Sequence, residues 1–310
     1  MTNIKKLGLT ALAGSLAATS AFAGALDVTG TAKVVYASQD ESDTTGNPWS
    51  MNQGIAFGGS GDLDNGMTVK YNYLMTNAAF SSSSLKLDMG DNGLLSLSNN
   101  VSTEGIGAYD DVMPTAGEEV WDDLDGQANG VATMSSANTL GYSTSLGGLA
   151  ISAAYNKNAG SDLQGSSKSV VVSSGSLVEN MDIGIGMGDS AGSSSDTGTD
   201  KSTAWAKYTM GAITAGIQLT ALDVSAANGD TDRTHFAISM AINENLSASV
   251  GQSTVEFENP ALDDQENHGF AVSYTMGSMT IAAFTNSEDS SGGTAASDDS
   301  VSEVSVAFAF

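Results

Sequence analysis

The sequence predicts an all-β protein: a transmembrane β-barrel of sixteen antiparallel strands. Three observations lead to this fold class. Apolar and polar residues alternate in many short segments, the connections between these segments are short and long in turn, and no apolar run after residue 25 reaches 18 residues. The third observation excludes a helical membrane protein but leaves a barrel open, because an alternating strand is never hydrophobic on average.

The first 23 residues have the pattern of a secretory signal peptide. Lys5 and Lys6 form a basic start, an apolar stretch covers 7–18, and the small residues Ala21 and Ala23 provide a cleavage signal. We therefore expect cleavage near Ala23 and a mature β-barrel over 24–310 that leaves the cytoplasm.

Period-two alternation identifies the strands in chain order. Residues 213–221, for example, alternate apolar side chains with Thr, Gly and Gln, which gives a strand one apolar and one polar face. The predicted strands span 26–37, 50–60, 66–77, 82–89, 93–100, 137–146, 149–157, 168–177, 180–188, 201–210, 212–222, 232–241, 246–257, 267–276, 279–287 and 301–310.

The connections predict how the strands are arranged. Those after even-numbered strands are tight and rich in Gly and Asn, as at 147–148 and 277–278, whereas those after odd-numbered strands are mostly long and polar. A membrane barrel sorts its connections in this way, with short periplasmic turns and long outer loops. The polar strand faces are then expected to line a water-filled lumen and the apolar faces to contact lipid. A soluble β-sandwich or β-solenoid, which has no reason to sort its loops, is the alternative.

Composition excludes several function classes. The chain has no Cys, 10 Lys and Arg, 36 Asp and Glu, and a formal charge of −26. A nucleic-acid binder needs a basic surface, so nucleic acid is not an expected partner. An enzyme is not expected either. The two histidines are His235, whose lumen phase does not suit the outer-surface dyad of a barrel esterase, and His268, which lies next to the loop 264–267.

Four lysines lie in the polar phase of predicted strands. A lysine on the lipid face would cost about 2–4 kcal/mol at the membrane midplane, so these side chains are expected to project into the lumen. They are Lys33, Lys70, Lys86 and Lys207.

The connection 101–136 is the longest in the chain and mixes acids with Val, Met, Trp and Tyr, which favours an ordered, functional loop. Its acids include Asp110, Asp111, Glu118, Glu119, Asp122 and Asp123. The adjacent pairs Asp110–Asp111 and Glu118–Glu119 could bind Ca²⁺ through carboxylate oxygens, although a solvated acidic face is the other interpretation.

These features together resemble the trimeric general diffusion porins of the Gram-negative outer membrane, of the alphaproteobacterial type. The resemblance rests on the signal peptide, the sixteen strands, the long acidic loop after the fifth strand and the terminal aromatic residue Phe310. It implies that 101–136 folds inward as a constriction loop, that its six acids named above face Lys33, Lys70 and Lys86 on the wall, and that the protein is a homotrimer. One departure is that the family's basic cluster is rich in Arg, whereas this chain has only Arg233, placed near the outer mouth.

The expected function is passive diffusion of ions and small hydrophilic solutes, with a preference for cations because acids dominate the constriction. Outer-membrane lipid and lipopolysaccharide are the other expected partners, the latter bridged to acidic groups by divalent ions. Two alternatives are a substrate-specific channel, for which Trp205 in the lumen phase is the main support, and a non-conducting structural or adhesin barrel.

Overall fold

A computed structural model describes the chain over 26–39, 46–100, 104–110, 112–127, 130–131, 138–157, 166–191 and 198–310. The predicted signal peptide, residues 1–23, lies outside the described residues. No helix in the described ranges is long and apolar enough to cross a membrane.

The described residues form sixteen strands that close into one antiparallel barrel, which confirms the predicted fold class. Each strand pairs with its neighbours in sequence, and β1 pairs with β16. The strands are β1 Asp27–Gln39, β2 Trp49–Asp62, β3 Thr68–Thr76, β4 Ala79–Asp88, β5 Leu94–Asn99, β6 Thr139–Leu146, β7 Leu149–Lys157, β8 Ser166–Ser174, β9 Met181–Ala191, β10 Gly198–Met210, β11 Ile213–Val224, β12 Thr231–Ala241, β13 Leu246–Phe257, β14 Gln265–Met276, β15 Met279–Asp289 and β16 Asp299–Ala309. Short 3-10 helices cover Gly90–Asn92, Gly105–Tyr109 and Ser291–Gly293.

The two faces of each strand differ as the alternation predicts. On β10, Tyr208 and Met210 point outward and are exposed, whereas Thr203 and Trp205 point inward and are buried. The apolar side chains are therefore on the outside of the barrel, and the buried groups are inside it. This inversion of a soluble protein is what a lipid-facing barrel with a polar interior requires.

The chain closes the barrel with its last residue. The Phe310 amide donates to the Gly30 carbonyl at 2.8 Å, and the Gly30 amide donates to the Phe310 carbonyl at 3.1 Å. Backbone pairing between the first and last strands thus continues to the C-terminus, and no strand edge of the described barrel is left unpaired.

One connection departs from the alternation of short and long. The turn between β3 and β4 consists of two residues, Asn77 and Ala78, although it lies on the long-loop side. Both have positive φ, 49° and 66°, as a type I′ hairpin turn requires. The predicted start of the fourth strand, residue 82, is three residues too late. Asn77–Ala78 is a weak turn signal, because alanine is disfavoured at positive φ.

Replacing Ala78 with glycine should stabilise the barrel by about 0.5–1 kcal/mol, because glycine adopts positive φ without strain. The matched control is Ala212→Gly in the two-residue turn between β10 and β11, where Gly211 carries the positive φ and Ala212 does not. That control should instead be neutral or slightly destabilising. Urea unfolding of both variants would test this, and equal effects would contradict the strain argument.

Candidate pore constriction

The described parts of the connection between β5 and β6 lie inside the barrel. Ile106, Met113 and Val131 of this loop form an apolar cluster with Val171, Trp205 and Ala237, which are inward residues of β8, β10 and β12. Further along the loop, Ala116 and Leu124 pack against a second cluster formed by Ala271, Phe284 and Val301 of β14, β15 and β16. The loop therefore crosses the lumen from one wall to the other.

The loop begins with a turn that only glycine can make. Gly105 has φ of 63°, and a Cβ there would overlap the Ser169 hydroxyl and crowd Ala154. Two wall hydroxyls hold the backbone at this point: the Gly105 amide donates to Ser152 Oγ at 2.8 Å, and the Ile106 amide donates to Ser169 Oγ at 3.1 Å. The chain is thereby directed inward as the short helix Gly105–Tyr109.

Aromatic contacts attach the middle of the loop to the wall. Tyr109 stacks on Trp205 with ring centroids 4.7 Å apart, and Trp121 packs edge-on against His235 at 4.6 Å. The side-chain amide of Gln218 donates to the Tyr109 carbonyl at 3.0 Å. Trp205 and His235 both face inward, as their strand phase predicts, and they lie between the barrel wall and the loop.

The opposite wall holds the second half of the loop through its backbone. The Ala116 amide donates to Ser249 Oγ at 2.8 Å, and Asn286 Nδ2 donates to the carbonyls of Glu119 and Asp122 at 2.8 and 3.1 Å. Side chains of β13 and β15 thus fix the segment that contains the loop's acids.

Three of the predicted acids come together. One carboxylate oxygen each of Glu118, Glu119 and Asp122 lies within 4.8 Å of the others, and Asp122 Oδ2 accepts a hydrogen bond from the Glu119 amide at 2.9 Å. Asp123 is exposed beside this group, with φ of 60°.

The other predicted acids lie elsewhere. Asp110 packs against Gly130, whose carbonyl accepts from Arg233 Nη1 at 3.2 Å, so the acid and this guanidinium share one part of the lumen. Asp111 is outside the described residues. The four residues proposed for Ca²⁺ are therefore not brought together as a set: Glu118 and Glu119 are joined by Asp122, without Asp110.

Two of the four predicted lysines contact the loop. Lys33 lies between Glu118 of the loop, 3.3 Å away, and Glu303 of β16, 2.9 Å away. Lys86 lies 3.8 Å from Glu104, the first described residue of the loop.

The other two lysines pair with acids of neighbouring strands. Lys70 lies 3.0 Å from Asp88, and Lys207 lies 3.1 Å from Asp182. Sequence reasoning missed these wall acids, together with Glu303, although each is in the same polar phase as the lysine it faces. Arg233, predicted near the outer mouth, is the third residue of β12 on the long-loop side, and its side chain is buried against the loop at Gly130.

An open space remains on the short-turn side of the loop. This space is a cavity of about 760 Å³ inside the barrel, lined by Tyr109, Asp88, Asp91 and the hydroxyls of β6 and β7. A second cavity, of about 420 Å³, lies on the outer surface and is apolar. The inner cavity is the aqueous side of the constriction. Of the described residues that line it, Tyr109 alone is aromatic.

The Trp205–Tyr109 stack should depend on Gly184, because a Cβ at that position would overlap the indole ring. Gly184→Ala is expected to destabilise the barrel by about 1–3 kcal/mol, the usual cost of overpacking, and to change tryptophan fluorescence. Gly58→Ala is the control, since Gly58 is also a strand glycine and a Cβ there would meet nothing within 4 Å. Unfolding midpoints and emission spectra measure both, and an unchanged Gly184→Ala spectrum would contradict the packing.

Comparison with known proteins gives a consistent result. A family model described as Gram-negative porin matches residues 8–310. A porin structure refined at 1.8 Å resolution is similar at 16% identity and a TM-score of 0.69, covering 92% of this chain and 100% of that chain. Two substituted forms of the Rhodopseudomonas blastica porin are similar at 15% and 14% identity, with TM-scores of 0.65 and 0.63 and the same coverage. At these identities the solved structures show the fold alone, and no curated protein sequence matches the chain.

Proposed function

The chain belongs to the Gram-negative porin family, and we propose that it is a general diffusion pore that prefers cations. The family consists of outer-membrane channels rather than enzymes. The cation preference and the roles of individual residues are the parts of this proposal that go beyond the family.

The contacts of Lys33 carry the proposal of cation preference. This ammonium group meets two carboxylates, from Glu118 and Glu303, so the cluster formed by these three side chains keeps a net negative charge. Glu119 and Asp122 add further carboxylates next to Glu118. Rings of acids in a constriction favour cations, and the acidic outer loops raise the local cation concentration at the entrance.

The remaining lysines in the predicted pore wall do not offset this charge. Lys70, Lys86 and Lys207 each lie within 4 Å of one carboxylate, so each pair is close to neutral. A weaker transverse field than in an Arg-rich constriction is the expected result.

A substrate-specific channel has less support. Such a channel needs a track of exposed aromatic rings or a defined polar cluster in the lumen. Trp205 is 5% exposed and lies behind Tyr109, so it presents no free face to a solute. We therefore favour size and charge as the criteria of selection.

We also propose a homotrimer, because the outward surface has an uncharged arc. Among the described residues, no charged side chain points outward on β1–β6, where exposed apolar groups include Met51, Ile55, Tyr71 and Leu97. An uncharged, apolar rim suits contact with a second copy of the chain better than contact with charged head groups.

The opposite arc supports lipopolysaccharide as a partner. Strands β9–β15 each carry one outward-facing acid near the long loops, and several of these face each other directly. Asp200 lies opposite both Asp189 and Asp223, and Glu266 lies opposite Asp289. Like charges in register destabilise a sheet, so divalent cations shared with lipid phosphates would stabilise this rim. The proposed export of the chain requires removal of residues 1–23.

Neutralising the constriction acids should reduce the cation preference. In planar bilayers under a KCl gradient, Glu118→Gln/Glu119→Gln/Asp122→Asn is expected to lower the K⁺ to Cl⁻ permeability ratio several-fold. The control Asp189→Asn/Asp200→Asn/Asp223→Asn removes the same charge from the outward face and should leave the ratio close to that of the wild type.

Three results would contradict parts of this proposal. Anion preference in the wild type would overturn the charge assignment but keep the pore. A triple variant with unchanged selectivity would remove Glu118, Glu119 and Asp122 from the constriction. A folded, heat-modifiable barrel without conductance would favour the structural or adhesin alternative.

The uncharged arc on β1–β6 is expected to form the contact between subunits of the trimer. Met51→Gln/Ile55→Gln is expected to lower the temperature at which a detergent-solubilised trimer dissociates, because polar groups weaken an apolar contact. Ile217→Gln/Leu219→Gln makes the same change on β11, in the opposite arc, and should leave the dissociation temperature unchanged. Native mass spectrometry of both variants tests this, and equal dissociation would contradict the placement of the interface.

A further inference from the structure

Two buried carboxylates face each other inside the barrel at the long-loop end. Glu288 of β15 lies directly opposite Asp299 of β16, and both side chains point inward. They are 1% and 4% exposed. Directly opposed residues of an antiparallel pair have Cβ atoms about 4.5–5.5 Å apart, so the two acids share one small region.

No basic group balances this pair. Every Lys and Arg beyond residue 25 lies in the described ranges, and none of the ion pairs found there involves Glu288 or Asp299. The histidine ion pair, His268 with Glu266, is on the outward face of the neighbouring strand. Two buried carboxylates without a compensating positive charge carry a large desolvation cost.

The hydrogen bonds of the pair leave one buried oxygen unsatisfied. Glu288 Oε2 accepts from Asn267 Nδ2 at 2.6 Å, but Glu288 Oε1 is fully buried and has no hydrogen-bond partner among the described residues. Asp299 Oδ2 accepts from the Asp125 amide at 2.9 Å, and Oδ1 accepts from the Ser300 amide at 2.7 Å. A buried acceptor without a partner costs free energy and calls for a ligand that supplies positive charge.

More oxygens converge on the same place. A Cβ at Gly126 of the loop would overlap both carboxylate oxygens of Glu288 and Oε1 of Gln265, so these three oxygens point toward one side of the loop backbone. Gln265 is completely buried, and its Oε1 accepts from the Gln127 amide at 2.7 Å and from the Gly292 amide at 3.1 Å. Carboxylate and amide oxygens of this kind are the ligands of hard divalent cations.

We propose that Glu288 and Asp299 bind a divalent cation of the Ca²⁺ type, with water completing its oxygen ligands. The cation neutralises the two carboxylates and gives Glu288 Oε1 a partner. Since residues 125–127 of the loop are bonded to Asp299 and Gln265, it also ties the end of the loop to β14–β16. The effect on the pore rests on the proposed function, whereas cation binding does not.

The chain offers a matched control on the neighbouring strand pair β14 and β15. Glu266 and Asp289 are also directly opposed carboxylates, one position from the proposed site, but they face outward and are exposed. The group Glu118, Glu119 and Asp122 could bind Ca²⁺ independently, so the experiment uses Glu118→Gln/Glu119→Gln/Asp122→Asn as its background.

The test is the unfolding temperature of EDTA-treated protein in detergent, measured during titration with CaCl₂. The background protein is expected to gain several degrees in a saturable manner. Adding Glu288→Gln/Asp299→Asn should abolish the gain and raise the stability of the Ca²⁺-free form, because the repulsion is removed. Adding Glu266→Gln/Asp289→Asn should leave the gain intact, because detergent supplies no lipid phosphates to share a cation with these two exposed acids.

Diffraction from wild-type crystals soaked in TbCl₃ gives a second measurement that needs no variant of the site. Anomalous density between Glu288 and Asp299 is expected, and its absence would overturn the proposal. An unfolding temperature that does not change with Ca²⁺ in the background protein would also overturn it. Neither measurement involves conductance, so failure of the pore assignment would leave both results interpretable.

Discussion

Closure of the sheet on itself is the constraint on which the rest of the structure depends. In lipid, an unpaired backbone amide or carbonyl has no water to bond, so an open strand edge is not tolerated. Here β1 pairs with β16, and the last residue, Phe310, continues that pairing by exchanging backbone hydrogen bonds with Gly30. Once the sheet closes, the alternation of side chains fixes an apolar outside and a polar inside.

A sixteen-stranded barrel is too wide to be filled by the side chains of its own wall, so the interior needs a further element. The loop after β5 supplies it. Its apolar residues Ile106, Met113 and Val131 are buried against β8, β10 and β12, while its acids Glu118, Glu119 and Asp122 stay partly exposed. The same segment therefore provides the core of the protein and the candidate selectivity filter. This division explains why the loop mixes Val, Met and Trp with Asp and Glu.

The fold was predictable because period two and turn chemistry are local. The alternation in residues 213–221 indicates which face of that strand is apolar. Glycines such as Gly147, Gly148 and Gly277 indicate where the chain reverses. The Asn77–Ala78 turn was not predicted, because alanine rarely adopts positive φ.

The site was predictable only in part. Phase alone shows that Lys33 and Glu303 point inward, but their contact depends on β1 pairing with β16 across the whole length of the chain. Nothing local indicates that Glu118 would meet Lys33 while Asp110 would lie near Arg233, since both contacts depend on the path of the loop through the lumen.

Polar side chains of the barrel wall hold the loop by hydrogen bonds to the loop's main chain. Hydroxyls and amides of Ser152, Ser169, Ser249 and Asn286 bond to backbone groups of the loop, and those bonds do not depend on which side chains the loop carries. Anchorage and ion choice are thus encoded at different positions. A lineage can exchange Glu118 or Asp122 for other residues and acquire a new permeability without first inventing a new way to hold the loop. Because the wall serines hold the loop through its backbone, evolution can change the selectivity of the pore by single substitutions in the loop.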